Sequence, residues 1–179
     1  MKIGVYFAST SGSTDVVVDR MVELLGDLAV KHDIAEFEFD GIEDYDFVIF
    51  GAPTWDYGHL QSDWEDAWET FQALDLSHAT VAIFGLGDQL GYPEWYLDAV
   101  GIVYEHLSSQ GVRLVGHWPN EGYTFENSKA LTSDKSHFVG LALDDENQDS
   151  MTEERVSTWI YSVLESFSNA NNLAEVAYE

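Results

Sequence analysis

Cysteine is absent from this sequence of 179 residues, and there are only three prolines and seven lysines and arginines. Without cysteine, disulfides, thiolate catalysis and cysteine-ligated metal or iron–sulfur sites are excluded. No apolar run approaches the length of a membrane span, and because a strand-like apolar segment already begins at Lys2, we expect no signal peptide. We therefore expect a cytoplasmic protein. An apolar fraction of 45% predicts a folded chain.

Positive charge is both scarce and unevenly placed. The chain carries 33 acidic residues and a net charge of −26, and no lysine or arginine occurs between Lys31 and Arg113. Such a surface repels nucleic acid and anionic membranes and attracts basic protein surfaces. The alternative is that the acidity serves only solubility or a salty environment.

Strand-like apolar segments alternate with segments of helical periodicity. The pattern predicts strands at 2–8, 32–39, 45–52, 80–85 and 112–118, the second of them at an edge, and a short strand at 137–143. It predicts helices at 13–28, at 64–74 behind an Asp63 cap, at 93–110 and from Thr152 onward. The buried stripe of the first helix is expected to comprise Val16, Val17, Met21, Leu24, Leu25 and Leu28.

This alternation is typical of an α/β fold with a parallel sheet covered by helices on both faces. Neither a linker nor an internal repeat interrupts it. We expect a single domain over 1–168, followed by a loosely held C-terminal tail over 169–179.

The first strand runs into a loop rich in hydroxyl groups, here named the hydroxyl loop: Ser9, Thr10, Ser11, Gly12, Ser13 and Thr14. A strand, a tight loop and a helix in this order place backbone N–H groups at a helix N-terminus, where an anion is favoured. The hydroxyls suit a phosphate monoester, while the GxxxxGK[ST] nucleotide loop is missing. The alternative is an ordinary turn in which Ser and Thr cap the helix.

Two further loops leave the carboxyl ends of predicted strands, where open α/β sheets bind ligands. The first aromatic loop (residues 53–63) carries Trp55 and Tyr57, and the second aromatic loop (residues 86–93) carries Tyr92. Such side chains can stack on a flat ring, although each could instead pack on the core or form a protein interface. Combined with the hydroxyl loop, they suggest a ligand with a ring, a spacer and a phosphate, which is the shape of FMN.

With these loops in place, the chain resembles a long-chain flavodoxin from end to end. The matching stretches are STSGST, GAPTWDYGHLQSDWE, FGLGDQLGYPEWYLDA, GHWPNEGYTFENSKAL and FVGLALDDENQ. The motifs WPNEGY and GDQLGYPEWYLDA are most similar to those of the second flavodoxin of enteric-type bacteria. The resemblance implies a doubly wound five-stranded parallel sheet of order 2-1-3-4-5, with residues 118–136 inserted in the last strand; flavodoxin is the standard example of that order.

The resemblance also implies FMN contacts. The hydroxyl loop and Thr54 would hold the phosphate, Trp55 would cover the inner ring face and Tyr92 the outer face. The remaining implied contacts lie near N5, at the pyrimidine side and at the ribityl end: Asp56, Tyr57, Gly58, Leu86, Gly87, Asp88 and Asp144. The chain departs from the family pattern at Ser13, where many members have Lys or Arg, and at Tyr57, which is large for its place. We expect no catalytic residue and no metal site.

The function implied by the resemblance is that of a low-potential one-electron carrier, not an enzyme. Asp56, Asp88 and Glu94 lie near the implied ring contacts and no cation lies in either aromatic loop, so a reduced anionic flavin would be repelled. This lowers the potential of the semiquinone/hydroquinone couple. A carbonyl in the peptide 56–57 would favour the neutral semiquinone. The implied partners are the basic faces of a flavodoxin/ferredoxin-NADP reductase and of an acceptor enzyme, which a monomer would bind transiently and in a salt-sensitive way.

Two other functions stay open at this point. The first is an FMN-dependent NAD(P)H:quinone-type reductase, which would need an open ring face. The second is a flavin-free docking module on the same fold, although the hydroxyl loop keeps all its hydroxyls.

Overall fold

The computed structural model describes residues 1–177, with side chains described for 1–170. Its strands are β1 (Ile3–Phe7), β2 (Ala29–Asp33), β3 (Phe47–Gly51), β4 (Thr54–Trp55), β5 (His59–Leu60), β6 (Thr80–Leu86), β7 (Arg113–Val115), β8 (Trp118–Pro119), β9 (His137–Phe138) and β10 (Leu141–Leu143). Its α-helices are α1 (Ser13–Leu25), α2 (Ile34–Phe37), α3 (Ser62–Asp66), α4 (Trp68–Gln72), α5 (Asp98–Ser109) and α6 (Asp145–Ala177).

The main sheet is parallel and follows the order β2-β1-β3-β6-β10. β7 also pairs with β6, at residues 80–82, whereas β10 pairs with β6 at residues 84–86. β7 and β10 are therefore two halves of one edge strand, and the chain between them forms the insertion. The expected order 2-1-3-4-5 with an insertion in the last strand is confirmed.

The two faces of the sheet bury different side chains. Strands β1, β3 and β6 are apolar on both faces, as central parallel strands must be, and every residue in them is buried. The face covered by α1 and α6 is mainly aliphatic. The face covered by α2 to α5 is rich in aromatic rings, which include those of Tyr6, Phe39, Phe50, Trp64 and Phe71.

The second predicted strand is placed differently. β2 lies at the sheet edge as expected, but it spans Ala29–Asp33, and α2 occupies residues 34–37, in the middle of the predicted strand. The side chain of Asp33 accepts a hydrogen bond from the backbone N–H of Ala35 at 2.9 Å. Asp33 thus caps a helical turn, and this local capping prevails over the alternation of apolar and acidic residues.

The predicted helices also shift at their ends. α1 ends at Leu25, Val18 replaces Val16 in its buried stripe, and Val16 and Leu28 are exposed. The helix predicted behind Asp63 is capped by Gln61 instead and breaks at Ala67 into α3 and α4. Which positions of a helix are buried depends on how the helix is rotated about its own axis relative to the sheet. Helical spacing alone does not fix that rotation.

The last two helices begin at other residues than predicted. α5 begins at Asp98 instead of 93, because Leu97 lies buried in a left-handed conformation (φ 57°). α6 begins at Asp145 and contains a non-helical residue, Gln148, ahead of the predicted start at Thr152. The boundary drawn at residue 168 falls inside α6; residues 178–179 lie outside the described part, and the division into domain and tail stays a prediction.

The insertion (residues 118–136) packs against the end of the sheet through Tyr123. Its hydroxyl donates to the carbonyl of Ala142 at 2.7 Å and accepts from Trp118 Nε1 at 2.9 Å. The buried guanidinium of Arg155 lies over its ring at 4.4 Å from the centroid. Along residues 1–177, no helix combines the length and hydrophobicity required to cross a bilayer.

Candidate functional site

A cavity of about 290 Å³ opens at the carboxyl edge of the sheet, where the loops after β1, β3 and β6 meet. The sequence predicts a ligand site at this edge, because parallel strands bring their following loops together there. The lining residues come from these three loops and the start of α6: Thr10, Ser11, Ser13, Thr14, Pro53, Thr54, Trp55, Asp56, Leu86, Gly87, Asp88, Tyr92, Trp95, Tyr96, Asp145 and Glu146.

The hydroxyl loop is shaped by its own first serine. Ser9 Oγ accepts a hydrogen bond from the backbone N–H of Gly12 at 3.1 Å, and Gly12 has a φ of 90°, which glycine adopts without strain. Gly12 is also the N-cap of α1 and provides no side-chain cap. The first-turn N–H groups of α1 are thus left for a ligand or water, and the hydroxyls of Ser11 and Ser13 lie beside them, 3.3 Å apart.

The first aromatic loop is a short hairpin in which β4 pairs with β5. Its turn, residues 56–58, contains two residues with positive φ, Asp56 at 45° and Gly58 at 86°. Trp55 is 37% exposed and Tyr57 64% exposed. The ring of Tyr57 makes edge contacts with the rings of Tyr92 and Trp95, whose centroids lie 6.1 and 5.1 Å away.

The second aromatic loop is held by hydrogen bonds to Asp88. Its Oδ1 accepts from the backbone N–H of Gly91 at 2.7 Å, from that of Leu90 at 3.2 Å and from Asn147 Nδ2 at 2.8 Å. Burial alone would raise the pKa of Asp88, but these donors outweigh it and hold the pKa below its usual value. A charged carboxylate is therefore fixed at the cavity wall.

Behind this loop lies a buried network centred on Asp144, which is fully buried. Asp144 Oδ2 accepts from the backbone N–H of Gln89 at 3.1 Å and from its Nε2 at 2.8 Å, and Asn147 donates to the same carboxylate. Gln89 Oε1 accepts from the backbone N–H of Thr124 in the insertion. The network links the second aromatic loop to α6 and to the insertion through groups that are all hydrogen-bonded.

The electrostatic character of the cavity is negative except at the hydroxyl loop. Carboxylates of Asp56, Asp88, Asp145 and Glu146 line it, and the lining contains no lysine or arginine. An anion is therefore accommodated only by the neutral donors of the hydroxyl loop. Among the described residues, no group of three His, Asp or Glu side chains is arranged to hold a metal ion.

Most of the residues predicted to bind a ligand come together in this cavity. Thr54 and Tyr92 line it, and Thr54 Oγ1 also accepts from the backbone N–H of Ala99 at 3.1 Å. Five predicted residues are not in the lining: Ser9 and Gly12 shape the hydroxyl loop, Tyr57 and Gly58 lie in the hairpin turn, and Asp144 lies in the buried network.

Sequence reasoning missed Pro53, Trp95, Tyr96, Asp145 and Glu146. Pro53 directly precedes the predicted residue Thr54, and Trp95 lies shortly after the second aromatic loop. Tyr96 falls inside the segment predicted as a helix, where an aromatic side chain is expected to pack on the sheet. Asp145 and Glu146 directly follow Asp144, so the acidic run did indicate the region although not the residues.

Comparison with known proteins gives a consistent result. Residues 5–159 match the family described as Flavodoxin. The chain is 41% identical over 165 residues to Flavodoxin 2 of Salmonella typhi, covering 92% of this chain and 95% of that protein. It is 42% identical over 163 residues to Flavodoxin 1 of Escherichia coli K12, covering 90% and 92%.

Among solved structures, the fold is similar to that of Fusobacterium nucleatum flavodoxin bound to flavin mononucleotide. The TM-score is 0.86 at 25% identity, and the match covers 92% of this chain and 98% of that one. The two enteric proteins are nearly equally identical to this chain in sequence. Sequence identity therefore does not assign the chain to the Flavodoxin 1 or the Flavodoxin 2 type.

Proposed function

This chain belongs to the flavodoxin family, and from that premise we propose that it carries single electrons at low potential on a non-covalently bound FMN. As a flavodoxin it is an electron-transfer protein and not an enzyme. When bound, FMN supplies a ring that accepts and releases one electron at a time. One observation carries the proposal: a single cavity joins the hydroxyl loop to both aromatic loops.

The donors of the hydroxyl loop fit the phosphate of FMN. A phosphate monoester needs several N–H and O–H donors, and this loop offers hydroxyls beside an uncapped helix N-terminus. Ser13 stands where a cation would add attraction in many family members. We therefore propose that neutral donors alone hold the phosphate, with Thr54 adding a hydroxyl whose proton is not used in its bond to Ala99.

The aromatic loops fit the ring. Trp55 and Tyr92 line the cavity from different loops, and each leaves more than a third of its surface exposed, as a stacking surface requires. We propose that the two side chains stack on opposite faces of the isoalloxazine. Trp95 and Tyr96 complete the apolar wall on the side of Tyr92.

The charges around the cavity support a low potential. Reduction adds negative charge to the ring, and the carboxylates of Asp56, Asp88, Asp145 and Glu146 would repel it without a compensating cation in the lining. The oxidised ring would not be repelled in this way. The protein would therefore bind the oxidised form more strongly and become a better reductant.

As a flavodoxin, the chain acts with redox partner proteins. We propose that these partners, a reductase of the flavodoxin/ferredoxin-NADP type and an acceptor enzyme, present basic faces to a monomer. Arg20 and Lys31 are already engaged by acidic neighbours, and residues 32–112 contain no lysine or arginine. Transient binding should weaken as salt is raised; an electron-transfer rate independent of salt would contradict this. The cytoplasmic location stays a prediction, which cell fractionation tests.

The test of the function is the visible spectrum of the purified protein during stepwise anaerobic reduction. We expect flavin bands and, midway, a long-wavelength band of a flavin radical. Direct bleaching would favour the reductase, and a colourless protein that FMN does not reconstitute would favour the docking module. Titration of the apoprotein with FMN and with riboflavin measures the contribution of the hydroxyl loop to binding. Riboflavin lacks the phosphate and should therefore bind much more weakly.

A further inference from the structure

Asp98, the first residue of α5, is a buried carboxylate outside the cavity lining. Its side chain is 3% exposed, and its Oδ1 accepts a hydrogen bond from the backbone N–H of Lys129 in the insertion at 2.8 Å. No ion pair with Asp98 occurs within the described part of the chain. The position at a helix N-terminus favours the negative charge, whereas burial opposes it.

The second oxygen of this carboxylate lies against the turn of the first aromatic loop. A Cβ atom placed on Gly58 would lie 2.7 Å from Asp98 Oδ2 and 3.1 Å from Asp98 Cβ. Glycine at this position is thus what allows the carboxylate to reach the turn. In the same hairpin, Trp55 and Asp56 line the cavity.

The start of α5 is held by two of its backbone N–H groups, one of which donates to the first aromatic loop. The N–H of Ala99 donates to Thr54 Oγ1 at 3.1 Å, and the N–H of Asp98 donates to the carbonyl of Trp95 at 3.2 Å. Asp98 therefore cannot move away from the turn unless α5 or β4 moves with it. Burial raises its pKa, and the N–H and the charge of Lys129 partly oppose that rise.

We propose that Asp98 is a positioning residue of the electron-transfer site, which fixes the turn at 56–58 and keeps a buried negative charge behind it that lowers the FMN reduction potential. The proposal rests on the proposed function. A charge in the protein interior is poorly screened, so it acts on a neighbouring ring more strongly than a surface carboxylate does. Because the reduced ring carries more negative charge, Asp98 opposes reduction.

Asp98→Asn tests the charge while keeping the shape, since the amide oxygen can still accept from Lys129. We expect the reduction potential of the FMN-loaded protein to shift upward, while the dissociation constant for oxidised FMN changes less than about threefold. Glu105→Gln, an exposed neutralisation on the same helix, is the matched control and should leave the potential unchanged. In the apoprotein, slow exchange of the Lys129 amide should persist in Asp98→Asn.

Asp98→Ser is a second neutral variant, suited to the first turn of a helix. An upward shift in either variant, beyond that of Glu105→Gln, supports the proposal. An unchanged potential in a folded, FMN-loaded variant overturns it, and failure of both variants to fold assigns Asp98 a structural role instead. If wild-type protein neither binds FMN nor shows a radical on reduction, the proposed function fails before this comparison is made.

Discussion

The two aromatic loops line the same cavity but are held in different ways. The second loop is held by hydrogen bonds between side chains: Asn147 donates to Asp88, and Gln89 donates to Asp144. The turn of the first loop is held by the pairing of β4 with β5, by ring contacts of Tyr57 and by the contact between Gly58 and Asp98. One wall thus depends on a buried polar network, and the other on the close packing of a strained turn.

Because the two loops are held differently, substitutions in them should affect folding stability differently. A buried network fails as a unit, because the loss of one acceptor leaves several donors without partners. A turn with positive φ values fails locally, and the rest of the sheet need not respond. The following predictions test this contrast, from the largest expected effect to the smallest.

Asp144→Ala should have the largest effect. It removes the acceptor of four N–H groups, two from Gln89 and two from Asn147, and should lower the free energy of unfolding by about 3–5 kcal/mol. FMN affinity should fall as well. Urea denaturation of the apoprotein measures the first effect and fluorescence titration the second. Asp149→Ala, at an exposed position in α6, the helix that begins directly after Asp144, is the control; equal losses in the two variants would contradict the network's role.

Gly58→Ala should be the next most costly. The new Cβ would collide with Asp98 and also occupy a φ of 86°, so we expect a loss of roughly 2–4 kcal/mol. Gly122→Ala separates the two causes, because Gly122 has a φ of 80° but no atom within 4 Å of the added Cβ. That control should lose only about 1 kcal/mol. If urea denaturation gives the same cost for both, crowding against Asp98 is not important.

The contributions of Asp88 and Asp98 to folding stability should change with pH in opposite directions. The pKa of Asp88 is lowered in the folded state, so its stabilisation is present above the unfolded value of 3.8 and is lost as pH falls through the folded pKa. The pKa of Asp98 is raised, so its destabilisation is absent at low pH and grows as pH rises from 3.8 through the folded pKa.

At neutral pH, Asp88→Asn should therefore unfold at lower urea than wild type and Asp98→Asn at higher urea. At pH about 3 both differences should shrink. Urea unfolding of the apoproteins at the two pH values is the measurement. Shifts of the same sign at neutral pH would show that the two carboxylates are not held as described.

Tyr57→Ala should have the smallest effect on stability. The side chain is 64% exposed and contacts neighbouring rings only by their edges, so we expect a loss within about 1 kcal/mol. Thermal unfolding of the apoprotein measures it. A larger loss would mean that the ring contacts, and not the backbone pairing, hold the first aromatic loop.

Much of the fold could be predicted from the sequence, because the apolar runs of β1, β3 and β6 are unambiguous and the resemblance supplied their order. The error at α2 arose because Asp33 acts as a cap inside an alternating pattern. The late start of α5 depends on the backbone of Leu97, which no periodicity reveals.

The candidate site was predictable where residues are contiguous. The hydroxyl loop and the aromatic residues Trp55 and Tyr92 stand out in short motifs. The residues that hold these loops in place do not stand out in the sequence. Gln89 contacts Thr124, and Asp98 contacts Lys129, only after the insertion has folded back onto the sheet. Contacts between residues more than 30 positions apart have no signature in a single sequence.

The split edge strand has a consequence for synthesis of the chain on the ribosome. The carboxyl-terminal part of β6, residues 84–86, pairs with β10. This part of β6 therefore keeps an unpaired edge until Leu141–Leu143 has emerged from the ribosome. At about 5–20 residues per second, roughly 55 further residues take several seconds. During that interval the second aromatic loop also lacks its hydrogen-bond partners from the insertion and α6. The nascent chain therefore completes the cofactor site only near the end of translation, and an unpaired strand edge is exposed to neighbouring chains until then.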